Sequence, residues 1–150
     1  MGGIKREQNR YRRPRKIYDK KRIEEEKKLR EKYGLKNNKE IWKAEYQIRK
    51  IRRLAKKMIT QPIEKQKEFI ESIRKKGFDV KSIGDILGLN KEEYLKRRLQ
   101  TFVYKRGLAK TIKEARQLVT HKKIKVGDRI VNVPSYFINK DEENKIERVA

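Results

Sequence analysis

Residues 107–136 read GLAKTIKEARQLVTHKKIKVGDRIVNVPSY, and their pattern predicts the fold of the C-terminal part of the chain. Thr111 and Glu114 form a capping-box pattern that opens a short helix. Its apolar positions are Ile112, Ala115, Leu118 and Val119. Alternating apolar residues on either side of residues 127–128 predict a hairpin with a tight turn. Residues 136–138 are the candidate for a third short strand, so the stretch predicts a helix packed on a small antiparallel sheet.

A further helix is predicted directly before this stretch, beginning at Asn90 and ending at Gly107. Its apolar stripe consists of Tyr94, Leu95, Leu99, Phe102 and Val103. The face that the two stripes leave free carries Arg97, Arg98, Lys105, Arg106, Lys110, Arg116, Lys122 and Lys123. Residues 95–125 hold eleven Lys and Arg against one acid, a net charge of +10. A merely solvated face usually mixes both signs, so we expect one surface that binds a polyanion.

The chain before residue 95 has the pattern of a helical body with short joins. Asp19 and Gly34 bracket a first helix, and Pro62 and Gly77 bracket a third. The apolar positions of the third helix are Ile63, Phe69, Ile70 and Ile73. Two glycines around Ile86 indicate a short helical turn. With the sheet near the C-terminus, these elements predict an α+β fold that is mainly α.

The second helix of this body has two distinct sides. Asn37 followed by Glu40 resembles a capping box at its start. Its apolar stripe consists of Ile41, Ala44, Ile48, Ile51, Ala55 and Met58. Its opposite side carries Arg49, Lys50, Arg52, Arg53, Lys56 and Lys57. The stripe predicts a core contact, and the basic side is a second candidate binding surface.

Residues 1–18 form a basic extension with little apolar material. Its cations after residue 9 are Arg10, Arg12, Arg13, Arg15 and Lys16. Such an arm gains too little from burial to order alone, and we expect it to be disordered unless it is bound to a nucleic-acid phosphate backbone. Tyr11 and Tyr18 are then available to stack on bases. The predicted organisation is this arm, a body over 19–94, a module over 95–138 and a short tail over 139–150.

The composition of the whole chain points to the same class of partner. It has 45 Lys and Arg against 21 Asp and Glu, a net charge of +24. Nucleic acid is the leading polyanion, and an anionic membrane surface is second. No window of 18 apolar residues exists to span a bilayer, and the N-terminus lacks the apolar region of a secretory signal. Charge alone does not distinguish RNA from DNA.

Enzyme chemistry has little support in the sequence. The chain has no Cys and a single His, His121, so a zinc site is not expected. No Gly is followed by Lys, which excludes the usual phosphate-binding loop of nucleotide hydrolases. The carboxylates 24–26 are consecutive and fan around a helix instead of converging as an acid-base pair. We therefore predict no catalytic residue, no metal, no cofactor and no small-molecule substrate.

Residues 107–136 closely resemble the S4-type RNA-binding module over nearly their whole length. The stretch YGLKNNKEIWKAEYQIRKIRRLAKKMI, residues 33–59, is similar to the archaeal and eukaryotic branch of the small-subunit ribosomal protein S4 family, so the resemblance spans about 10–140. It implies a cytoplasmic ribosomal protein that binds small-subunit rRNA as a primary binder and helps nucleate assembly of the subunit's body. It also implies neighbouring ribosomal proteins as partners and a place near the mRNA entry side. The residues that it places against RNA phosphates are Arg97, Arg98, Lys110, Arg116, Gln117, His121, Lys122 and Lys123.

With the arm and the basic side of the second helix, the candidate RNA-binding set is complete. It adds Arg10, Arg12, Arg13, Arg15, Lys16, Arg49, Arg52, Arg53, Lys56, Lys105 and Arg106. Two departures from the family are visible: the zinc knuckle of some bacterial members is impossible without Cys, and the tail after Ile138 is short. The main alternative is a free RNA chaperone or ribosome assembly factor with the same module. A DNA-binding helix–turn–helix regulator is a third possibility.

Overall fold

The computed structural model describes residues 10–149, which form seven α-helices and one three-stranded antiparallel sheet. The helices are α1 Lys20–Lys32, α2 Asn38–Met58, α3 Ile63–Lys75, α4 Ile83–Gly88, α5 Lys91–Lys96, α6 Leu99–Lys105 and α7 Ile112–Thr120. The strands are β1 Ile124–Val126, β2 Arg129–Ile130 and β3 Ile146–Arg148, and a 3₁₀ helix covers Lys140–Lys145. The predicted class, α+β and mainly α, is confirmed.

Helix α2 is the central element of the N-terminal body. Its predicted stripe is buried at Ile41, Ala44, Ile48, Ile51 and Ala55. The first half of this stripe packs with α1 and with Leu95, and the second half packs with α3, α4 and Phe78. The prediction for α3 is wrong at one position, because the side chain of Ile63 is 69% exposed.

The predicted single helix from Asn90 to Gly107 is two helices, α5 and α6. The break falls at Arg98, whose backbone is extended with φ −74° and ψ 143°. Residues 136–138 occupy the gap: Leu99 N–H donates to the carbonyl of Tyr136 over 2.8 Å, and Ile138 N–H donates to Arg97 over 2.9 Å. The helix is interrupted because a segment about forty residues later takes these backbone bonds.

The sheet contains the predicted hairpin and an unpredicted third strand. Strand β1 lies in the centre, with β2 on one side and β3 on the other. Residues 136–138 were expected to supply the third strand, but residues 146–148 supply it, and Ile146 is buried there at 3% exposure. The region predicted as a tail is therefore partly an element of the sheet.

The C-terminal module is packed firmly against the body. The ring of Phe137 lies 5.7 Å from that of Phe78 and 5.0 Å from that of Tyr94. The buried amide of Gln100 donates to the carbonyls of Gly34 and Ile112, each over 3.0 Å. These contacts fix the orientation of the module, and so they fix the position of α7 relative to α2.

The described part of the basic extension, residues 10–18, lies against α1 and α2. Arg22 donates to the carbonyls of Lys16 and Ile17 over 3.0 and 2.8 Å. The first nine residues of the extension lie outside the described residues. Ordering of the arm by RNA alone stays a prediction. Across residues 10–149, no helix combines the length and apolar content needed to cross a membrane.

Candidate nucleic-acid interface

Helix α7 presents a basic face to solvent. Its other side is buried in the module core through Ala115, Leu118 and Val119. The hydroxyl of Thr111 accepts from the backbone N–H of Glu114 over 3.1 Å, which holds the first turn. The exposed side chains of this face and its flanks are Lys110, Lys113, Gln117, His121, Lys122 and Lys123. We call this set the α7 surface.

The α7 surface keeps its positive charge. The single acid of the helix, Glu114, accepts a hydrogen bond from the backbone N–H of Lys110 over 2.7 Å. Among residues 10–149, no carboxylate forms an ion pair with any lysine of this surface. Unpaired lysine ammonium groups at an exposed helix end are suited to bind phosphate oxygens.

The end of α7 has an unusual backbone at Lys122. Its φ is +60°, and it is the one non-glycine residue with positive φ in the described part of the chain. The N–H groups of Lys122 and Lys123 donate to the carbonyls of Val119 and Leu118 over 3.1 and 3.0 Å. This is the Schellman ending of a helix, where glycine usually takes the left-handed position. A lysine here places a cation at the helix end at some cost in backbone strain.

Arg97 does not project from the basic face, contrary to the prediction. Its side chain is 11% exposed and pairs with Glu143. Its Nη2 also donates to the carbonyl of Ile138 over 2.7 Å, and the guanidinium lies 5.0 Å from the Phe102 ring. The guanidinium passes over the backbone of Gly77, where an added Cβ would come within 2.0 Å of Nη2. Arg97 therefore connects α3, α6 and the segment that leads to β3.

Arg98 is also turned inward, because Glu40 binds it between α2 and the module. The Arg98 side chain is 4% exposed, and its Nη2 lies 2.9 Å from Glu40 Oε2. Arg116 donates to both oxygens of the same carboxylate over 2.8 and 3.1 Å. Arg116 remains 23% exposed, so it contributes both to this contact and to the edge of the α7 surface.

The Glu40 carboxylate is charged because two arginines surround it. Burial raises the pKa of Glu40, but the hydrogen bonds and charges of Arg116 and Arg98 outweigh it and hold the pKa below its usual value. Burial lowers the pKa of Arg98, and Glu40 opposes that effect. The predicted capping box at α2 is absent, since the Asn37 side chain makes no capping bond and Glu40 is engaged by the arginines instead.

The arm meets the basic side of α2 at Arg49. One groove is lined by Arg12, Arg13, Arg15 and Arg49. Arg49 is paired with Glu45 over 2.6 Å. A second cleft, of about 420 Å³, opens between α2 and α7. It contains Arg10 beside the cluster of Glu40, Arg98 and Arg116. A basic track therefore runs from the arm past the start of α2 to the edge of the α7 surface.

The remaining candidates have separate surroundings. Arg53 and Lys56 are exposed on α2, whereas Arg52 is half-buried and donates to the carbonyl of Leu89. Lys105 lies over the Phe102 ring at 5.8 Å. Arg106 donates to Asn144 over 2.9 Å. The last two lie at the end of α6 and do not line the clefts beside α2.

The residues that position this surface were not predicted from the sequence. Glu40 was assigned to a cap, and the buried Gln100 was not singled out within an apolar stripe. Glu26 was also missed; it is 3% exposed and accepts from the indole N–H of Trp42 over 2.9 Å. A polar residue amid an apolar stripe, such as Gln100, is a usable signal for a buried side chain that hydrogen-bonds the backbone of another segment. No group of three or more potential metal-ligating side chains lies together within residues 10–149.

Comparison with known proteins places this geometry in a family. The S4 domain matches residues 97–144, which includes α6, α7 and the hairpin. Small ribosomal subunit protein uS4 of Sulfurisphaera tokodaii is 43% identical over 132 residues, covering 83% of this chain and 75% of that protein. The uS4 of Korarchaeum cryptofilum is 38% identical over 152 residues, covering 98% and 92%. The uS4 of Saccharolobus solfataricus is 40% identical over 154 residues, covering 98% and 85%.

The chain belongs to the uS4 family. The resemblance read from residues 33–59 and 107–136 is thereby confirmed, including its archaeal-type branch. The S4 domain extends to residue 144, beyond the end predicted for the module at residue 138. In this uS4 protein the domain consequently includes most of the 3₁₀ helix that leads into β3.

Proposed function

We propose that this uS4 protein is a structural component of the small ribosomal subunit in the cytoplasm, where it binds rRNA. The observation that carries the proposal is the α7 surface on an S4 domain, whose four exposed lysines form no ion pair with any carboxylate among residues 10–149. The relatives with matching sequence are small ribosomal subunit proteins by name. Phosphate contacts supply most of the affinity, and contacts to 2′-hydroxyl groups and unpaired bases supply selectivity for RNA.

The binding surface extends from α7 along the basic track to the arm. The proposed contacts are Arg10, Arg12, Arg13, Arg15, Lys16, Arg49, Arg53, Lys56, Lys105, Arg106, Lys110, Arg116, Gln117, His121, Lys122 and Lys123. The proposed role of Arg52, Arg97 and Arg98 is to position the backbone. We keep the body over 19–94, the module from residue 95 and an RNA-ordered arm over 1–18 as the proposed organisation.

We further propose that the protein is a primary binder that helps nucleate assembly of the subunit's body, next to other ribosomal proteins and near the mRNA entry side. Three buried clusters give the free protein its own core, so the α7 surface is formed before assembly starts. A preformed surface reduces the ordering cost of binding to naked rRNA. Reconstitution of subunits with this protein omitted tests nucleation: later proteins should then fail to join the body.

Density-gradient sedimentation of a lysate tests the central proposal. An integral component stays on small subunits in washes at moderate and at high salt. Its many contacts with the rRNA break together only when the rRNA unfolds. A free chaperone or assembly factor with the same module dissociates at high salt and moves to the top of the gradient. The second result would overturn the structural role. A binding competition between rRNA and duplex DNA tests the preference for RNA, and equal affinities would contradict it.

A further inference from the structure

A cleft of about 520 Å³ lies beside the start of α2 and belongs to none of the contacts described for α7. Its lining consists of Tyr11, Arg13, Arg30, Asn37, Asn38, Lys39 and Trp42. Three of these side chains are cations, two are amides, two are aromatic and none is acidic. In the described part of the chain, none of the three cations forms an ion pair. The cleft is therefore open to an anionic ligand that also has a flat apolar surface.

Trp42 is held in a fixed orientation at the wall of this cleft. Its indole N–H donates to Glu26 Oε1 over 2.9 Å, and the same oxygen accepts from Arg22 over 2.9 Å. Burying a carboxylate is costly even when it is paired, and Glu26 is only 3% exposed. Its second oxygen has no hydrogen-bond partner. The bonds that Glu26 does form fix the indole edge and tie the arm to α1 through Arg22.

The aromatic and polar groups of the cleft lie within reach of a single ligand. The rings of Tyr11 and Trp42 are 6.2 Å apart and inclined at 32°. The Lys39 ammonium lies 5.8 Å from the Tyr11 ring. The Asn37 side chain makes no capping bond to α2, so its amide can accept from and donate to a base edge. A phosphate alone would use the cations but would leave the aromatic pair and the amides without a role.

We propose that this cleft binds one unpaired nucleotide of the RNA, with its base stacked on Trp42 and Tyr11. Arg13, Arg30 and Lys39 bind the flanking phosphates, and the amides of Asn37 and Asn38 contact the base edge. The inference rests on the proposed rRNA-binding function and adds a base-recognition site to a surface otherwise built for phosphates. Stacking on aromatic side chains is the usual way in which proteins hold splayed RNA bases.

Trp42 is the sole tryptophan of the chain, so tryptophan emission of the full-length protein reports on this cleft alone. A short single-stranded oligoadenylate should quench this emission, because the base stacks on the indole. Inorganic polyphosphate carries the same kind of charge without bases and should leave the emission nearly unchanged. Equal quenching by both probes, or by neither, would overturn the base site.

Variants of Tyr11 test the second ring without removing the fluorophore. Tyr11→Leu should weaken binding of oligoadenylate and of small-subunit rRNA by about fivefold to a hundredfold, the range for loss of one stacked base. Tyr11→Phe should bind as the wild type does. Tyr104→Leu is the matched control, since Tyr104 is 45% exposed on α6 and does not line the cleft. Equal affinities of Tyr11→Leu and the wild type would contradict the proposal.

The two proposals fail in distinguishable ways. If small-subunit rRNA binds tightly while Trp42 emission and the affinity of Tyr11→Leu stay unchanged, the base site is wrong and the rRNA-binding function stands. If the wild type does not bind small-subunit rRNA at all, both are wrong. A cross-link from rRNA containing bromouridine to Trp42 or Tyr11 would support the site directly, and cross-links confined to α7 would count against it.

Discussion

Lys122 occupies the backbone conformation in which a glycine is least strained. The other helix ends with a left-handed residue use glycine, as at Gly107 with φ +71°. A side chain in the left-handed region costs about 1–2 kcal/mol relative to the right-handed one. The lysine is therefore explained better by its charge at the end of α7 than by the stability of the fold.

Replacing Lys122 by glycine should separate stability from binding. Lys122→Gly is expected to raise the free energy of unfolding by about 0.5–1 kcal/mol, because relief of strain exceeds the added freedom of glycine in the unfolded chain. The same variant should weaken rRNA binding by about 1 kcal/mol through loss of one phosphate contact. Urea unfolding and filter binding measure the two effects.

The matched control for Lys122→Gly is the reverse change at Gly107. A Cβ added at Gly107 meets no atom within 4 Å, so Gly107→Ala reports backbone strain alone. It should lower the free energy of unfolding by about 1 kcal/mol. If Lys122→Gly gains no stability while Gly107→Ala loses it, the account of Lys122 as a strained residue is wrong.

Glu40 makes the stability of the fold depend on pH. Its folded pKa lies below its usual value, so the unfolded chain takes up the proton first as the pH falls. The contribution of Glu40 is therefore present at neutral pH and is lost on acidification, from about pH 4.5 down through the folded pKa. Urea midpoints between about pH 3 and pH 7 measure this dependence.

Glu40→Gln should remove that part of the pH dependence. The variant should lose about 2–3 kcal/mol of stability at neutral pH, less than the roughly 3–5 kcal/mol for a fully buried pair, because the carboxylate is 15% exposed. Arg116→Gln should flatten the dependence in part, since Arg98 still faces Glu40. If the stability of Glu40→Gln depended on pH as steeply as that of the wild type, Glu40 would not be the source of the pH dependence.

The helices and strands that could be predicted from the sequence are those set by local signals such as caps, periodicity and tight turns. Candidate cap residues and helical periodicity located α1, α2 and α7, although the side chains of Asp19 and Asn37 make no capping bond. The tight turn at residues 127–128 located the hairpin. The break between α5 and α6 could not be predicted, because its cause is backbone bonding with residues 136–138. Strand β3 was also missed, because it forms by pairing with β1. Its three residues have one buried side chain, Ile146, and carry almost no strand signal of their own.

In the candidate site, too, side chains placed by local periodicity were predicted and side chains placed by distant partners were not. The lysines around α7 were predicted correctly as exposed, because the apolar positions of an amphipathic helix fix which side faces solvent. Arg97 and Arg98 were placed on the wrong side, because they lie at the helix break and bind carboxylates from other elements. No periodicity connects Arg98 with Glu40, which precedes it by 58 residues.

The packing of Arg97 over Gly77 joins the end of α3 to the module. We therefore expect a substitution at Gly77 to weaken this contact. Gly77→Ala would place Cβ within 2.0 Å of the Arg97 guanidinium and would expel it from its contacts with Glu143 and Ile138. Left-handed strain at φ +89° adds to the cost. We expect a loss of about 2–4 kcal/mol in the free energy of unfolding.

Gly88→Ala is the control for Gly77→Ala. A Cβ at Gly88 meets no atom within 4 Å and Gly88 lacks a positive φ, so this change should be neutral or stabilising by up to about 1 kcal/mol. Chemical denaturation of both variants gives the comparison. Equal losses for the two would show that Arg97 does not depend on the close approach at Gly77.

For the whole molecule, the distribution of charge decides how salt acts on binding. Residues 95–125 carry +10, whereas residues 61–94 hold seven cations and seven acids and are neutral. Each phosphate neutralised by the protein releases bound counterions, so the logarithm of affinity falls with the logarithm of salt in proportion to the number of contacts. The slope therefore counts the cations that reach the RNA, and the two regions should contribute unequally.

Two triple variants with equal loss of charge compare these regions. Lys110→Gln, Lys122→Gln and Lys123→Gln together should reduce the salt slope by about 2–3, close to one for each phosphate contact removed. Lys65→Gln, Lys67→Gln and Lys75→Gln together remove the same charge from α3 and should change the slope by less than about 1. Filter binding of small-subunit rRNA across a salt series measures both slopes. Equal reductions would mean that net charge, and not the α7 surface, holds the RNA, because only a localised surface makes the position of a lysine matter.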